Sequence, residues 1–415
     1  MKDLNFTGLI SAITLSAALT ACGGGGGGSD TSSTSTPTAP TTPSATISSF
    51  SATGPTANTR LAVVTGQSIY LNWSSANANT CTLSGASSGS VAGSGQQVIT
   101  AQSVTAATVN SYTLTCGSAS ASASITVLPA RTTIPDTGLQ AALTAMGMTV
   151  SSDGTIDTTA AMAVTDLEIT QNYGIVNLTG LSSFQGLTKL VIQQNAGLTN
   201  VSDVSSLTGL TFLDIWMGAF TSIDVSKLIS LQTLGISQIV GLSTVDISKL
   251  TALTELDFQN DNNDPTSPWG VTQGLTSLDI SHNVNLQKVY IGFNLLTSID
   301  TSKNVSLQEA WFEGNPFTSL DFSKNTNVDY VIVYDCKKLN NLNVAGTNNG
   351  QVLARLSTYS DPMLTLIHVG TPATYNAWIA TATATPETQT DGTTDTHYVN
   401  GNVGMWLMTA LTFTQ

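Results

Sequence analysis

The chain has 415 residues, enough for two or three domains, yet only 9% of them are charged, so serine, threonine, asparagine and glycine carry its solubility. Its 12 basic residues stand against 26 acidic ones, a net charge of −14, which argues against nucleic acid or an anionic membrane face and leaves neutral, cationic or metal-bridged partners. Beyond the N-terminal leader no run of about 18 apolar residues occurs, so no membrane-spanning helix is expected.

The leader, residues 1–21, contains an apolar stretch from Leu9 to Leu19 that is too short to span a bilayer and suits the core of a secretory signal. It runs into Leu19, Thr20, Ala21 and Cys22, which resembles the lipobox of bacterial lipoproteins. That resemblance implies cleavage before Cys22 and acyl chains on its sulfur and amine. At about 0.8 kcal/mol per buried methylene, several chains hold a protein on a membrane for good. Gly23 stands where the resemblance associates Asp with inner-membrane retention, so a lipid anchor in the outer membrane, with the body at the cell surface, is the expected placement. Residues 22–44 continue with six glycines and a Ser/Thr/Pro tract; with almost nothing apolar to bury they should form a flexible tether.

Residues 45–129 read as short alternating segments, among them Ser68 to Trp73, Cys81 to Leu83, Gln97 to Ile99, Ser111 to Cys116 and Ala123 to Val127. Period-two alternation punctuated by Gly, Asn and Ser predicts an antiparallel sandwich. It resembles the immunoglobulin-like domains of bacterial surface proteins, with Trp73 as core aromatic, and implies a spacer. Export to an oxidising compartment predicts a Cys81–Cys116 disulfide, closing a 35-residue loop worth about 4 kcal/mol on a chain-entropy basis.

Residues 131–163 contain an amphipathic segment, Ile134 to Met146, followed by Asp153 to Asp157. From 164 to 369 one pattern recurs: Leu187-x-x-Leu190-x-Ile192, Leu210-x-x-Leu213-x-Ile215, Leu231-x-x-Leu234-x-Ile236, Leu253-x-x-Leu256-x-Phe258, Leu286-x-x-Val289-x-Ile291, Leu307-x-x-Ala310-x-Phe312 and Val328-x-x-Val331-x-Val333. The period is 21 to 23 residues, with one step of 33 that holds an insertion from Gln259 to Val271. This resembles the leucine-rich repeat family. The fold class expected is therefore mostly β: an antiparallel immunoglobulin-like sandwich followed by a leucine-rich repeat solenoid, residues 131–163 forming its short helical N-terminal cap.

The family places Asn or Cys three residues after the last apolar strand position, where the coil turns; Asn195, Asn294, Asn315 and Cys336 fill that slot, so Cys336 should be buried, reduced and structural. Gly218, Ile239 and Asp261 occupy it elsewhere, which predicts looser middle coils. A second series carries Asp224, Asp246, Asp279, Asp300 and Asp321 half a turn away, each followed by Ser at the second position. Its alternation predicts an extended opposite wall, with Lys227, Lys249, Lys303 and Lys324 relieving repulsion among the stacked carboxylates. After Leu342 the register dissolves; Leu364 to Val369 looks like a last strand, Pro372 opens a closing helix, and residues 370–415 form a C-terminal cap of unrecognised type.

In this family the strand face is concave and offers the non-apolar strand positions to a ligand. Here they bring up Phe212, Trp216, Met217, Tyr290, Phe293, Trp311, Tyr330 and Tyr334, interleaved with Asp214, Glu255, Asp257, Glu309, Glu313, Asp329 and Asp335. Large aromatics at solvent positions suit an interface, or else stack on one another and stiffen the ladder. Candidate ligand-binding residues are Phe212, Trp216, Tyr290, Phe293, Trp311, Tyr330 and Tyr334, and the partner expected, as in internalin-type adhesion proteins, is a protein or a glycan, with membrane contact through the lipid alone. No cofactor motif, metal spacing or catalytic set is found: the histidines, His282, His368 and His397, form none, the oxygen-rich 259–271 insertion obeys no calcium spacing, and the Gly85-x-Ser87-x-Gly89 match lacks the strand-to-helix context of a nucleophile elbow. The reading is non-enzymatic. The alternatives are an envelope hydrolase using the C-terminal stretch with Asp361, His368 or His397, and a ligand-free scaffold.

Overall fold

The computed structural model describes residues 43–55, 62–260 and 273–350, together with parts of 353–414. Cys22 with the lipobox, the tether to residue 42, Pro372 and most of the 259–271 insertion lie outside the described residues.

Eight strands come first: β1 (Thr46–Thr53), β2 (Ala62–Val64), β3 (Ser68–Ala76), β4 (Thr80–Gly85), β5 (Gly89–Ala92), β6 (Gly95–Thr100), β7 (Thr108–Cys116) and β8 (Ala119–Leu128). They form two sheets, β1-β3-β6 and β2-β8-β7-β4-β5. Period two in the sequence becomes sidedness: Ile69, Leu71 and Trp73 of β3 are buried with Leu83, Tyr112, Leu114, Ile125 and Val127, while the residues between them are more exposed. The Trp73 indole, inside this core, donates to the Ala92 carbonyl at 2.8 Å. Cys81 and Cys116 are disulfide-bonded. Because Thr82 faces Thr115 across β4 and β7, the bridge ties neighbouring strands of one sheet, unlike the inter-sheet bridge of antibody domains. Ser87 lies in the hairpin turn between β4 and β5, with a strand on each side.

The chain then makes β9 (Arg131–Thr133), α1 (Thr137–Ala145), β10 (Thr155–Asp157) and α2 (Thr158–Ala163), with β9 and β10 antiparallel. Asp136 is the N-cap of α1, its Oδ1 accepting the Leu139 N–H, while its Oδ2 accepts the N–H groups of Val176 and Asn177. One carboxylate thus starts the helix and ties it to the first coil. Leu139, Ala142 and Leu143, at helical spacing, are buried in the same core as the repeats.

From there the molecule is a β-solenoid. Its strands are β11 (Asp166–Ile169), β12 (Lys189–Gln193), β13 (Phe212–Gly218), β14 (Thr233–Ile239), β15 (Glu255–Asp257), β16 (Lys288–Tyr290), β17 (Glu309–Trp311), β18 (Ser319–Asp321), β19 (Tyr330–Ile332), β20 (Asn341–Asn343), β21 (Arg355–Ser357) and β22 (Leu366–His368). β11 to β17, β19 and β21 make one nine-stranded parallel sheet. Its inner column runs Leu167, Leu190, Leu213, Leu234, Leu256, Val289, Ala310, Val331, Leu356, partner to partner and buried throughout. Burying one such aliphatic chain stabilises by about 1.5–3 kcal/mol, and each coil adds several.

Two asparagine ladders satisfy the turns. In the expected one, the Asn195 amide donates to the Gln171 and Gln193 carbonyls and its Oδ1 accepts from Tyr173 and Ile175; Asn294 and Asn315 reach back to Phe258 and Ile291 at 2.7 and 2.8 Å. Cys336 takes the same slot, fully buried and free, its thiol directed at the Phe312 carbonyl at 3.5 Å. The second ladder lies on the opposite wall: Asn283, Asn304 and Asn325 each donate to two carbonyls of the preceding coil.

Three expectations change. The coils with Gly218 and Ile239 in place of a ladder asparagine are not loose, for β13 and β14 are the longest strands of the sheet, seven residues each, whereas Asp261 lies outside the described residues. With Gly218 and Ile239 in the slot, the backbone ladder itself continues to the turn, Gly218 pairing with Ile239. The opposite wall is mostly turns, extended only where β18, β20 and β22 pair with a last strand. Its turns are closed by the Asp–x–Ser motif: Asp224, Asp246, Asp279, Asp300 and Asp321 each accept the N–H of the serine two residues on, at 2.8–3.0 Å. Asn177, Asn200 and Asn343 make the same local turn. Those serine bonds hold the Asp224, Asp246, Asp279 and Asp300 carboxyls below the usual range, the flanking lysines and His282 adding less. Finally, the register does not dissolve after Leu342, since β21 pairs with β19 and β22 with β20. The C-terminal stretch adds β23 (Thr383–Thr388), β24 (Thr394–Asn400) and β25 (Val403–Leu407) as an antiparallel meander, and β26 (Thr412–Thr414) pairs with β22.

Candidate functional site

Strand pleating sends alternate residues of the nine-stranded sheet outward, and parallel pairing stacks them in columns. One column runs Asp166, Lys189, Phe212, Thr233, Glu255, Lys288, Glu309, Tyr330, Arg355. A second runs Glu168, Val191, Asp214, Gly235, Asp257, Tyr290, Trp311, Ile332, Ser357. A third holds Gln193, Trp216 and Ser237, and backbone bonds continue it through Gln259, Gly292, Glu313 and Tyr334. Trp216, Tyr290, Trp311, Phe212, Tyr330 and Tyr334 therefore belong to one face. Phe293 is at its margin, in the turn that follows the third column.

The seven aromatics fall into two groups. Phe212 and Trp216 share β13, where the Lys189 ammonium lies 5.4 Å from the Phe212 ring centre. The others begin three strands on, about 14 Å away at a strand spacing of about 4.8 Å. There Tyr290 and Trp311 meet edge to face at 5.1 Å, as do Phe293 and Tyr334 at 6.2 Å. The Tyr290 hydroxyl donates to Glu309 at 2.9 Å; burial, then this carboxylate, pushes its ionisation well above the ordinary tyrosine value. These rings pack laterally and still line the outer face, Tyr330 being the most open at 39% exposed.

Three glycines shape the surface; Gly235 and Gly292 stand in the outward columns and Gly314 in the turn after the third. A side chain at Gly314 (φ 66°) would collide with the Phe293 ring, so its absence seats that ring. Gly292 leaves room for Glu313, which is buried and accepts from the Gln259 amide at 3.3 Å. Gly235, in the second column, leaves room for the Asp214 carboxylate, whose Oδ1 lies 2.6 Å from where a β-carbon would stand. The turn after the third column is left-handed at Gln194, Met217, Gln238, Phe293 and Asp335 (φ 56–66°), a conformation costing about 1–2 kcal/mol that the packed coils enforce.

Charges on the face are partly matched. Lys189 pairs with Glu168 at 2.7 Å and Lys288 with Glu309 at 3.9 Å, whereas Asp214, Glu255 and Asp257 join no ion pair among the described residues. Burial and the neighbouring Asp257 push the Asp214 carboxyl above its ordinary value, against the Gln193 hydrogen bond. The residues of the hydrolase alternative do not converge. Asp361 sits in the asparagine slot of the last coil, accepting the Cys336 N–H at 2.6 Å, while His368 is in β22 of the other wall; His397 is in β24, and its side chain is outside the described residues.

No protein-family model matches the chain, and no curated protein does. Among solved structures it is similar to the functional domain of InlJ from Listeria monocytogenes, which includes a cysteine ladder, at 20% identity over 57% of this chain and 70% of that one, with a TM-score of 0.22. It is also similar to a leucine-rich repeat protein of Leptospira interrogans (16% identity, 51% and 73% covered, TM-score 0.28). A third is an internalin, inlF, of Listeria monocytogenes (16% identity, 56% and 82% covered, TM-score 0.28). What the chain itself presents is a leucine-rich repeat pattern wound into a β-solenoid, and a broad outer strand face.

Proposed function

We propose that this protein is a non-enzymatic, lipid-anchored surface protein that holds its solenoid outward on an immunoglobulin-like spacer and binds a protein or glycan through the strand face. Cys22 is the anchor, the segment carrying α1 caps the solenoid, and the outer membrane is the site of attachment. The observation that supports it is the gathering of Phe212, Trp216, Tyr290, Trp311, Tyr330 and Tyr334 on one sheet face, with carboxylates between them. Rings in such a setting are the side chains on which interfaces concentrate their energy.

Two measurements test it. Protease shaving of intact cells should remove the repeats, and their survival would place them inside the envelope. Alanine at Trp216 and Trp311 together should abolish binding to whichever member of an immobilised panel of extracellular proteins and glycans the full chain recognises, with the melting temperature nearly unchanged. Retained binding with a loosened fold would make the rings structural.

A further inference from the structure

Among the described residues, four strands form the edges of the two N-terminal sheets, and three of them carry devices that keep an edge from pairing further. β2 has three residues and β5 four. β1 is irregular, its register with β3 shifting between Ile47 and Ser49. Short length and bulges both blunt an edge. β6 has neither: its six residues pair with β3 without a break, from Thr100 facing Ser68 to Gly95 facing Trp73. Reading Gly-Gln-Gln-Val-Ile-Thr, it also lacks the charges and proline that guard other edges.

The outer side of β6 presents backbone groups to a further strand. The Ala101 N–H donates to the Gln67 carbonyl, so by antiparallel alternation the N–H and C=O groups of Gln96, Val98 and Thr100 point away from β3. No strand lies beyond them among the described residues, and only the Thr100 carbonyl takes a side chain, the Gln102 amide at 3.4 Å. Val98 is 52% exposed and stands opposite Tyr70, so a tyrosine–valine row ends at this edge. Charge decides what can approach. Of the 26 acidic residues none falls between Thr31 and Ala130, and Arg60 is the one basic residue there, so the acidity behind the net charge of −14 lies elsewhere in the chain. Two copies therefore meet no like-charge barrier at these sheets, whereas the rest of the chain repels its own kind.

We infer that the protein pairs with a second copy of itself by antiparallel addition of β6 to β6 about a two-fold axis at Val98, joining two three-stranded sheets into one. Val98 then faces Val98 and Gln96 faces Thr100, and the Tyr70–Val98 row continues across the axis into the same pair of the second copy. Such a contact is isologous and uses up the unguarded edge, so assembly closes at two. It does not involve the nine-stranded sheet, whose ligand binding is a separate matter.

Sedimentation equilibrium over a range of concentrations tests this, using the full chain with Cys22→Ser so that no acyl chain drives association. A monomer–dimer equilibrium is expected, and Val98→Lys, which sets like charges against each other at the axis, should weaken it at least about tenfold. Val109→Lys charges another exposed valine, 63% exposed but in β7 at the interior of the other sheet, and should leave the dimer unchanged. The melting temperatures of both variants control for folding. Hydrogen exchange at the Gln96 and Val98 amides should slow as concentration rises. A monomer at every concentration, a dimer as strong in Val98→Lys as in the parent chain, an equal loss in Val109→Lys, or a dimer in which the Val98 amide exchanges as fast as in the monomer would overturn the inference.

Discussion

Asp361 stands where the ladder calls for asparagine, and the consequence is a pH-dependent weakness in the last coil. It is 5% exposed, its Oδ1 accepts the Cys336 N–H, and its Oδ2 has no partner among the described residues. Burial, helped by Asp335 and opposed first by the Cys336 N–H and then by Lys337, pushes its carboxyl up to about 9. The unfolded chain would release that proton near pH 3.9. Between those values the folded state keeps a proton that the unfolded state has lost, so stability is greatest below about pH 4 and falls with rising pH by about 1.4 kcal/mol per unit. At pH 7 the difference is about 4 kcal/mol. Asp361→Asn has no proton to lose, keeps the acceptor for Cys336, and adds the amide donors that Asn315 uses in its own coil. Relaxation of a terminal coil trims the figure, so the variant should be more stable at pH 7 by about 2–4 kcal/mol. Urea denaturation of both proteins at pH 4, 6 and 8, with hydrogen exchange at the Cys336 amide, reads the effect. The gain should grow with pH. A gain independent of pH, or a variant less stable at pH 8, would refute a protonated carboxyl in this slot.

Thr301→Val removes the hydroxyl that donates to Asn325 Oδ1 at 2.8 Å, leaving a buried acceptor unsatisfied, and should cost about 1–3 kcal/mol by chemical denaturation. Ile280 occupies Thr301's position one coil earlier, where Asn304 Oδ1 has no partner among the described residues, so Ile280→Thr should lose less than its burial alone suggests. Gly314→Ala puts a β-carbon at 2.4 Å from the Phe293 ring and an L side chain at φ 66°, and should lower the melting temperature while changing the near-ultraviolet circular dichroism of the aromatic face. Burial raises the Cys336 thiol far above its ordinary value, so a maleimide at pH 8 should leave the native protein unlabelled and react once it is denatured.

The solenoid was legible because its strand pairing follows from stacked apolar residues: once Leu190, Leu213 and Leu234 are aligned, every outward residue between them is placed, and the structure pairs them in that register. Cys336 was legible for the same reason, as an occupant of a fixed slot. The second ladder was within reach, since Asn283, Asn304 and Asn325 recur at one point of the Asp–x–Ser series, but a buried amide next to a charged turn reads as surface. Asp361 was not legible as a ladder residue, because a carboxyl counts as solvent-facing until neighbours are known to exclude water. Gly218 and Ile239 misled for a related reason: a missing side-chain donor was equated with slack, while the backbone ladder lengthened to replace it. Lysines three residues from four of the five aspartates suggested charge compensation, yet the serine N–H is nearer and local. On the face, aromatics were visible by register, but that Gly235 makes room for the Asp214 carboxylate depends on how that side chain leans across from the neighbouring strand.

The most direct test of the strand face as the binding surface is a photocrosslinking amino acid placed on intact cells at Trp216 or Tyr290 and, for comparison, at Asp246 or Asp300 of the opposite wall. Crosslinks to a defined partner from the first two positions alone are the predicted result. Crosslinks from the aspartate wall, with none from the strand face, would contradict it.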